Sequence, residues 1–167
     1  NILFNPVVDV YKSWRNTIVN TRAFSDDPDK VIKHARSYIK GVKDANSNMA
    51  VTIKHFPGDG VEELDQHLSL AVNTLDEEEW DNSFGKVYKT LIEEGAEAVM
   101  IGHIALPSKS KKYIKDYSLK DLLPATLDKT LLEDVLRGEL GFNGLIVTDA
   151  SHMAGLSAMQ KRSEYVP

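Results

Sequence analysis

The sequence contains no cysteine, and this absence excludes several kinds of chemistry. None of its 167 residues can form a disulfide, act as a thiolate nucleophile or bind a metal through a thiolate, although the compartment stays open. No apolar run approaches the roughly 20 residues that a membrane-spanning helix needs. Basic residues number 20 against 25 acidic ones, so the chain lacks the basic surplus of a nucleic-acid-binding surface. We therefore expect neither a membrane span nor a nucleic-acid partner.

Common metal and phosphate motifs are absent as well. The stretch PGDG, residues 57–60, lacks the spacing and the following Lys-Ser/Thr of a phosphate-binding loop. There is no His-x-His and no His-Glu-x-x-His, and Lys54 beside His55 would repel a cation. We therefore expect no metal and no cofactor, with a metal-dependent barrel hydrolase as an alternative.

What the sequence does contain is an alternation of apolar and amphipathic segments. Four apolar segments are typical of strands: residues 1–10, 49–56, 96–106 and 144–151. Three segments have helical spacing and helix-start residues: 27–46, 75–95 and one that opens near Thr126 or Asp128. Residues 108–115, rich in Lys and Ser, are predicted as a loop. One apolar stripe is expected in the core rather than as a platform for a sugar: Trp80, Phe84, Val87, Tyr88 and Leu91.

This order predicts an α/β fold with a parallel sheet. Apolar strands that alternate with helices need cover on both faces, which is the arrangement of parallel sheets. In such folds the functional side chains gather at the carboxyl ends of the strands. Four strands cannot close an eight-stranded barrel, so the pattern fits either a small open sheet or about half of a barrel.

Polar side chains follow the predicted strands. Asp149 comes directly after the segment GLIVT and is either a helix N-cap or a carboxylate that faces a cleft as nucleophile or base. Asp9 and the pair Lys54 and His55 also lie near strand ends. His103 does too, and we favour packing in the core for it.

The stretch KHFPGDGVEELDQH contains a second candidate group. Asp65 and His67 are two residues apart, so on an extended backbone the carboxylate can bind one imidazole nitrogen and leave the other to transfer protons. A solvated loop histidine is the alternative. Lys54 and His55 can reach a ligand if the strand kinks at Pro57, although a lysine often extends from a strand end to solvent.

Together these motifs resemble the N-terminal barrel of glycoside hydrolase family three, and more narrowly its β-N-acetylhexosaminidase branch. In that branch a strand ends in K-H-F-P-G-H-G, and D-x-H follows after four residues. Here KHFPGDG, VEEL and DQH have the same spacing. Other segments resemble the family in its order along the chain: NILFNPVVDV, NTRAFSDDPDKV, VMIGHIALP, LPATL and GFNGLIVTDASHMAGL.

The resemblance implies a (β/α)8 TIM-barrel-type catalytic domain, of which residues 1–167 provide roughly half, with flanking strands missing at both ends. It also implies roles for six side chains: Asp149 as nucleophile, His67 as general acid/base, Asp65 as the partner of His67, and Arg22, Lys54 and His55 as substrate-binding residues. A surface arginine is the alternative for Arg22.

The implied activity is that of a retaining β-glycosidase that removes terminal β-linked N-acetylglucosamine from a small-molecule or oligosaccharide substrate, including cell-wall fragments. Three alternatives stay open: a β-N-acetylglucosaminide phosphorylase, a β-glucosidase-type enzyme and a non-catalytic carbohydrate-binding module. Two departures from the family pattern leave the sugar open. Asp59 replaces the histidine of P-G-H-G, and Ala150 replaces an acidic residue after Asp149.

Overall fold

The computed structural model describes residues 1–159 and contains two parallel sheets. The strands are β1 (Ile2–Leu3), β2 (Ala50–Phe56), β3 (Ala71–Val72), β4 (Ala98–Ile101), β5 (Ile104–Ala105) and β6 (Leu145–Thr148). β1, β2, β4 and β6 form one sheet in that order, and β3 pairs with β5. All of these pairs are parallel. The predicted α/β fold with a parallel sheet is therefore confirmed.

Two of the helices, α1 (Pro28–Ala45) and α2 (Glu77–Trp80), begin at capping side chains that the sequence indicates. The others are α3 (Lys86–Glu93), α4 (Pro107–Tyr113) and α5 (Ala154–Ser157), with π-helices at Asp81–Gly85 and Leu131–Glu139 and a 3-10 turn at Leu119–Asp121. Asp27 caps α1, and Asp76 forms a capping box with Glu79 at the start of α2. No helix within residues 1–159 is long and apolar enough to cross a membrane.

Two predicted strands are shorter in the structure. β1 ends at Leu3, and beyond it the segment contacts β2 through an isolated bridge between Val7 and Lys54 and through two separate backbone hydrogen bonds, from Thr52 to Asn5 and from Val8 to Lys54. Pro6, between these contacts, has no N–H to donate to a ladder. The segment 96–106 is divided into β4 and β5. The division falls at His103, whose N–H donates to the side chain of Gln66 instead of to a neighbouring strand.

The prediction of a loop over residues 108–115 is wrong, because α4 occupies most of it. Pro107 provides the first residue of this helix, where its missing N–H is not needed. Lys109 is only 1% exposed. Its ammonium group lies 2.8 Å from carboxylate oxygens of Asp81 and Glu139. These contacts come from distant parts of the chain and cannot be inferred from a run of Lys and Ser.

The core lies between the four-stranded sheet and the helices. Phe56, at the end of β2, makes edge-to-face contacts with Trp80 and Tyr88 at centroid distances of 6.4 and 5.3 Å. The whole predicted stripe is buried: Trp80, Phe84, Val87, Tyr88 and Leu91. It belongs to the core, as expected, and fixes the end of β2 from which the candidate site begins.

Candidate active site

A buried carboxylate-histidine pair lies at the end of β2. Asp9 Oδ2 is 2.8 Å from His55 Nδ1, and Asp9 Oδ1 accepts the N–H groups of His55 and Asp59 at 3.2 and 2.9 Å. Nη2 of Arg22 lies 3.3 Å from His55 Nε2. Because a guanidinium only donates, Nε2 accepts, and Nδ1 holds the proton that His55 donates to Asp9.

Charged groups surround this histidine. Asp149 Oδ2 lies 4.0 Å from His55 Nε2. Burial lowers the pKa of Lys54, and the Arg22 guanidinium lowers it further, while Asp149 and Asp9 oppose these effects. The pairing of β2 with β4 shifts register between Lys54 and Phe56. Such an irregularity re-aims side chains, and here Lys54 and His55 both belong to the cluster.

Asp149 directly follows β6, with its side chain 20% exposed. Its N–H donates to the Ile101 carbonyl at 2.9 Å, which continues the ladder between β4 and β6. Its Oδ1 accepts the N–H of Ala150 at 2.7 Å. The helix after it, α5, begins only at Ala154 and has Met153 at its N-cap. The N-cap interpretation of Asp149 is therefore wrong, and the other carboxylate oxygen faces His55.

Asp65 and His67 form the predicted hydrogen bond, but on a turn rather than on an extended backbone, since the N–H groups of Leu68 and Ser69 donate to the Asp65 carbonyl at 2.9 and 3.0 Å. Asp65 Oδ1 lies 2.6 Å from His67 Nδ1 and also accepts the His67 N–H at 2.8 Å. The His67 side chain is 49% exposed and that of Asp65 is 24% exposed. An ionised carboxylate accepts only, so Nδ1 is protonated and Nε2 is the nitrogen available for proton exchange with a ligand.

His103 lies in the core, as expected, and its hydrogen bonds define its tautomer. Nε2 is 3.1 Å from the Ala150 carbonyl, which only accepts, so Nε2 is the donor. Nδ1 then accepts from the hydroxyl of Thr126 at 2.7 Å. Burial lowers the pKa of His103, against the opposing effects of the Ala150 carbonyl and Asp149. His103 thus supports the segment that follows Asp149.

The roles of two polar groups in this region cannot be predicted from the sequence. Asp9 lies near a predicted strand end, but nothing local indicates that it binds His55. Gln66 is only 1% exposed although Asp65 and His67 on either side of it are more exposed. It binds Asp59 in the same loop and His103 and Gly155 in distant segments, so no local signal identifies it. Within residues 1–159, no three His, Asp or Glu side chains converge in a way that could hold a metal.

The arrangement provides two chemically distinct groups. One is a carboxylate, Asp149, beside a histidine and two cationic side chains. The other is the imidazole of His67, oriented by Asp65. A carboxylate can attack or stabilise an electron-poor carbon, and an imidazole can exchange protons near neutral pH. The site therefore has the groups needed for acid/base-assisted substitution.

Comparisons with known proteins point to one family. The family model of the glycosyl hydrolase family 3 N terminal domain matches residues 1–167. The chain is 46% identical over its full length to a β-N-acetylglucosaminidase/β-glucosidase of Cellulomonas fimi, and it covers 29% of that protein. Over 155 residues it is 37% identical to a β-hexosaminidase of Psychromonas ingrahamii, of which it covers 42%. The chain thus spans less than half the length of these relatives.

Solved structures agree with this result. All of the chain superimposes on 30% of a β-glucoside phosphorylase, BglX, bound to 2FGlc, with a TM-score of 0.92 and 39% identity. A family 3 β-N-acetylglucosaminidase from Paenibacillus sp. matches 95% of the chain over 28% of its own length, with a TM-score of 0.84 and 30% identity. Similarity in sequence and in fold therefore leads to the same group of enzymes.

Proposed function

The chain belongs to glycosyl hydrolase family 3, and we propose that the protein which contains it is a retaining β-glycosidase that removes terminal β-linked N-acetylglucosamine or a related N-acetylhexosamine. Its fold is of the parallel (β/α)8 TIM-barrel type, and the described sheet provides four of the strands. Residues 1–167 form part of one catalytic barrel domain in this proposal. The names of the Cellulomonas and Psychromonas relatives support the sugar. An origin of the substrate in cell-wall fragments stays a prediction.

Asp149 and His67 divide the chemistry between them. Asp149 attacks the anomeric carbon, while protonated His67 gives its proton to the departing oxygen through Nε2. This step yields a glycosyl-enzyme and the free aglycone. Neutral His67 then takes a proton from water, which attacks the anomeric carbon and releases Asp149. Two displacements at one carbon give net retention of configuration.

The observation on which the proposal depends is the oriented imidazole. Asp65 accepts both the ring N–H and the backbone N–H of His67, so the tautomer and the direction of the ring are fixed together. The carbonyl of His67 accepts the N–H of Ala154 at 3.0 Å, five residues after Asp149. The loop of the acid/base is therefore bonded to the segment that follows the nucleophile.

The remaining three residues suit sugar binding. Arg22 and Lys54 offer donors to hydroxyl or amide oxygens, and the position of His55 is fixed by Asp9 and Arg22. A non-catalytic binding module would need such donors too. It would have no use for a carboxylate beside them together with a separately oriented imidazole, which favours an enzyme over a module.

Phosphorolysis is a second candidate, supported by the similarity to BglX, a β-glucoside phosphorylase. In a retaining hydrolase the acid/base is commonly a carboxylate, which would repel an incoming phosphate when ionised. A neutral imidazole, such as that of His67 after proton transfer, does not repel phosphate. The Cellulomonas relative is named both β-N-acetylglucosaminidase and β-glucosidase, so activity on glucosides is a further candidate.

Turnover of aryl β-N-acetylglucosaminides and β-glucosides by the whole protein tests these proposals, with and without phosphate. We expect hydrolysis that Asp149→Ala abolishes, and His67→Ala should slow substrates with poor leaving groups most, by about 10²- to 10⁴-fold. A sugar phosphate as product would establish phosphorolysis. Activity that survives Asp149→Ala would refute the assignment of the nucleophile, and sugar binding without turnover would favour a binding module.

A further inference from the structure

The loop that contains His67 is attached to the protein through a buried side chain, that of Gln66. Its Nε2 donates to Asp59 Oδ2 at 3.0 Å, and its Oε1 accepts the N–H of His103 at 2.8 Å. Both the NH₂ group and the oxygen of the Gln66 amide are thus hydrogen-bonded. Because the N–H of His103 can only donate, the oxygen of the amide must face His103 and the NH₂ group must face Asp59.

Asp59 is as deeply buried as Gln66 and connects it to the rest of the site. Its Oδ1 accepts from Asn16 Nδ2 at 2.8 Å and from the N–H of Gly60 at 2.7 Å. Its own N–H donates to Asp9 Oδ1 at 2.9 Å. Asp9 in turn holds His55. Buried hydrogen bonds therefore run continuously from the His55 side of the site to the loop of His67.

The backbone of the loop is held at the same point. Gly155 donates its N–H to the Gln66 carbonyl at 3.0 Å. A Cβ at position 155 would lie 2.7 Å from that oxygen and 3.0 Å from the Ser69 carbonyl. The close approach of the Gln66 and Ser69 carbonyl oxygens to this residue therefore requires glycine at position 155. The contact fixes the distance between the segment after Asp149 and the residue before His67.

We propose that Asp59 and Gln66 are positioning residues, whose buried hydrogen bond holds the loop so that His67 points at the departing oxygen. The inference rests on the proposed acid/base role of His67. It also gives a reason for the departure of Asp59 from the P-G-H-G pattern. A carboxylate at this position accepts from an amide between Asp65 and His67, so the two residues function as a matched donor and acceptor.

Exchanging the donor and the acceptor tests this pair. In Asp59→Asn an NH₂ group faces the NH₂ group of Gln66, and in Gln66→Glu a carboxylate faces the carboxylate of Asp59. Asp59→Asn replaces the attraction by a repulsion between two donors. Gln66→Glu brings together two buried carboxyl groups, which repel each other unless they take up a proton. The double variant Asp59→Asn/Gln66→Glu restores one donor and one acceptor, keeps Oδ1 for Asn16 and Gly60, and leaves the net charge unchanged.

Two measurements on the whole protein report on the loop. The first is kcat for an aryl glycoside with a good leaving group, such as dinitrophenyl, against one with a poor leaving group, such as phenyl. Only the second needs a proton from His67. We expect each single variant to lose about tenfold or more in kcat on the phenyl substrate, with a much smaller loss on the dinitrophenyl substrate and a large recovery in the double variant.

The other measurement is amide hydrogen exchange over residues 61–72. Exchange should be faster in each single variant and near normal in the double variant.

The controls separate this proposal from the proposed function. Asn48→Asp makes the same kind of amide-to-acid change at an exposed position outside the site and should alter neither measurement. Equal losses on both substrates, or no recovery in the double variant, would overturn the positioning role. If Gln66→Glu does not fold, Gln66→Met removes the hydrogen bonds at similar volume. If the whole protein cleaves no glycoside, the proposed function fails, whereas hydrogen exchange still decides whether the pair holds the loop.

Discussion

At the scale of single residues, Asp9 shows how one buried carboxylate can define a binding site. It accepts three hydrogen bonds, two from backbone N–H groups and one from the ring of His55. The last of these fixes the tautomer of His55 and so makes Nε2 an acceptor for Arg22. The position of Arg22 therefore depends on a group that does not itself contact it.

Replacing Asp9 by Asn should loosen this arrangement. An amide has one acceptor oxygen, so either the two backbone N–H groups or the ring of His55 must face an NH₂ group. We expect the melting temperature to fall, through a loss of about 1–3 kcal/mol, and KM for the glycoside to rise about tenfold as Arg22 loses its partner. Thermal unfolding and steady-state kinetics measure the two effects.

The exposed change Asp44→Asn on α1 is the matched control. It removes only a surface ion pair with Lys40, so both quantities should change little. An unchanged KM in Asp9→Asn would mean that Arg22 and His55 do not contact the sugar. A normal melting temperature would mean that the buried amide finds other partners.

The sequence predicts some of the site residues better than others, for a physical reason. The hydrogen bond between Asp65 and His67 follows from a spacing of two residues, which is local information. Gln66 lies between them in the same turn, but nothing local indicates that its side chain binds Asp59 and His103. Groups whose partners are close in sequence can be predicted, whereas groups that join distant segments require the fold.

At the scale of elements, the loop between β2 and β3 contains a carboxylate whose pKa depends on folding. Burial raises the pKa of Glu62 from 4.5 to about 7, although a hydrogen bond from the N–H of Val72 opposes this effect. This hydrogen bond spans the part of the loop that contains His67. The folded protein therefore binds a proton at Glu62 more tightly than the unfolded chain does.

Stability should consequently fall as the pH rises from about 4.5 to about 7. In this range the carboxyl of Glu62 loses its proton in the unfolded chain but keeps it in the folded protein, so rising pH favours the unfolded state. The effect is at most about 3 kcal/mol. Glu62→Gln keeps an acceptor for Val72 and removes the charge, so the variant should lose this part of the pH dependence and gain stability at pH 8. Chemical unfolding at several pH values measures the difference.

Glu63→Gln, one residue later, is the control, since Glu63 is exposed and pairs with Arg15 on the surface. It should leave the pH dependence almost as it is. If Glu62→Gln and the unsubstituted protein show parallel curves between pH 4.5 and 8, the carboxyl of Glu62 is not buried as described.

Among the helices, the position of α4 depends on contacts that Lys109 makes with residues distant in sequence. Its ammonium group meets Asp81 and Glu139 and lies 5.2 Å from the centre of the Trp80 ring. Lys109→Met would leave these carboxylates without their buried partner, which in buried pairs costs about 3–5 kcal/mol. Because Asp81 and Glu139 remain partly exposed, we expect the lower part of this range or less, measured as a fall in melting temperature.

Lys112→Met is the comparison for this change. Lys112 also pairs with Glu139, at 2.8 Å, but it is 43% exposed, so its loss should cost less than about 1 kcal/mol. Similar effects of the two substitutions would show that the burial of Lys109 is unimportant. The order of β1, β2, β4 and β6 was predictable from periodicity, but β3 and α4 were not. The position of α4 depends on these contacts with other elements.

At the scale of the whole molecule, the two outer strands of the sheet have unpaired edges within residues 1–159. β1 and β6 each have a neighbour on one side only. Apolar side chains are exposed there: Ile2 is 47%, Phe4 is 50% and Leu145 is 49% exposed. Open strand edges with exposed apolar groups promote association with other strands. Barrel closure would cover both edges, in agreement with the longer relatives.

Residues 1–167 expressed alone should therefore associate and lack turnover, whereas the whole protein should be active. The reason is that four strands cannot enclose the sugar from all sides, although Asp149, His67 and Arg22 are all present. Light scattering and hydrolysis of an aryl β-N-acetylglucosaminide, performed on both proteins at equal concentration, measure the two effects. A monomeric and active segment would mean that the half-barrel completes the site without further strands, and that the exposed edges of β1 and β6 are stable in water.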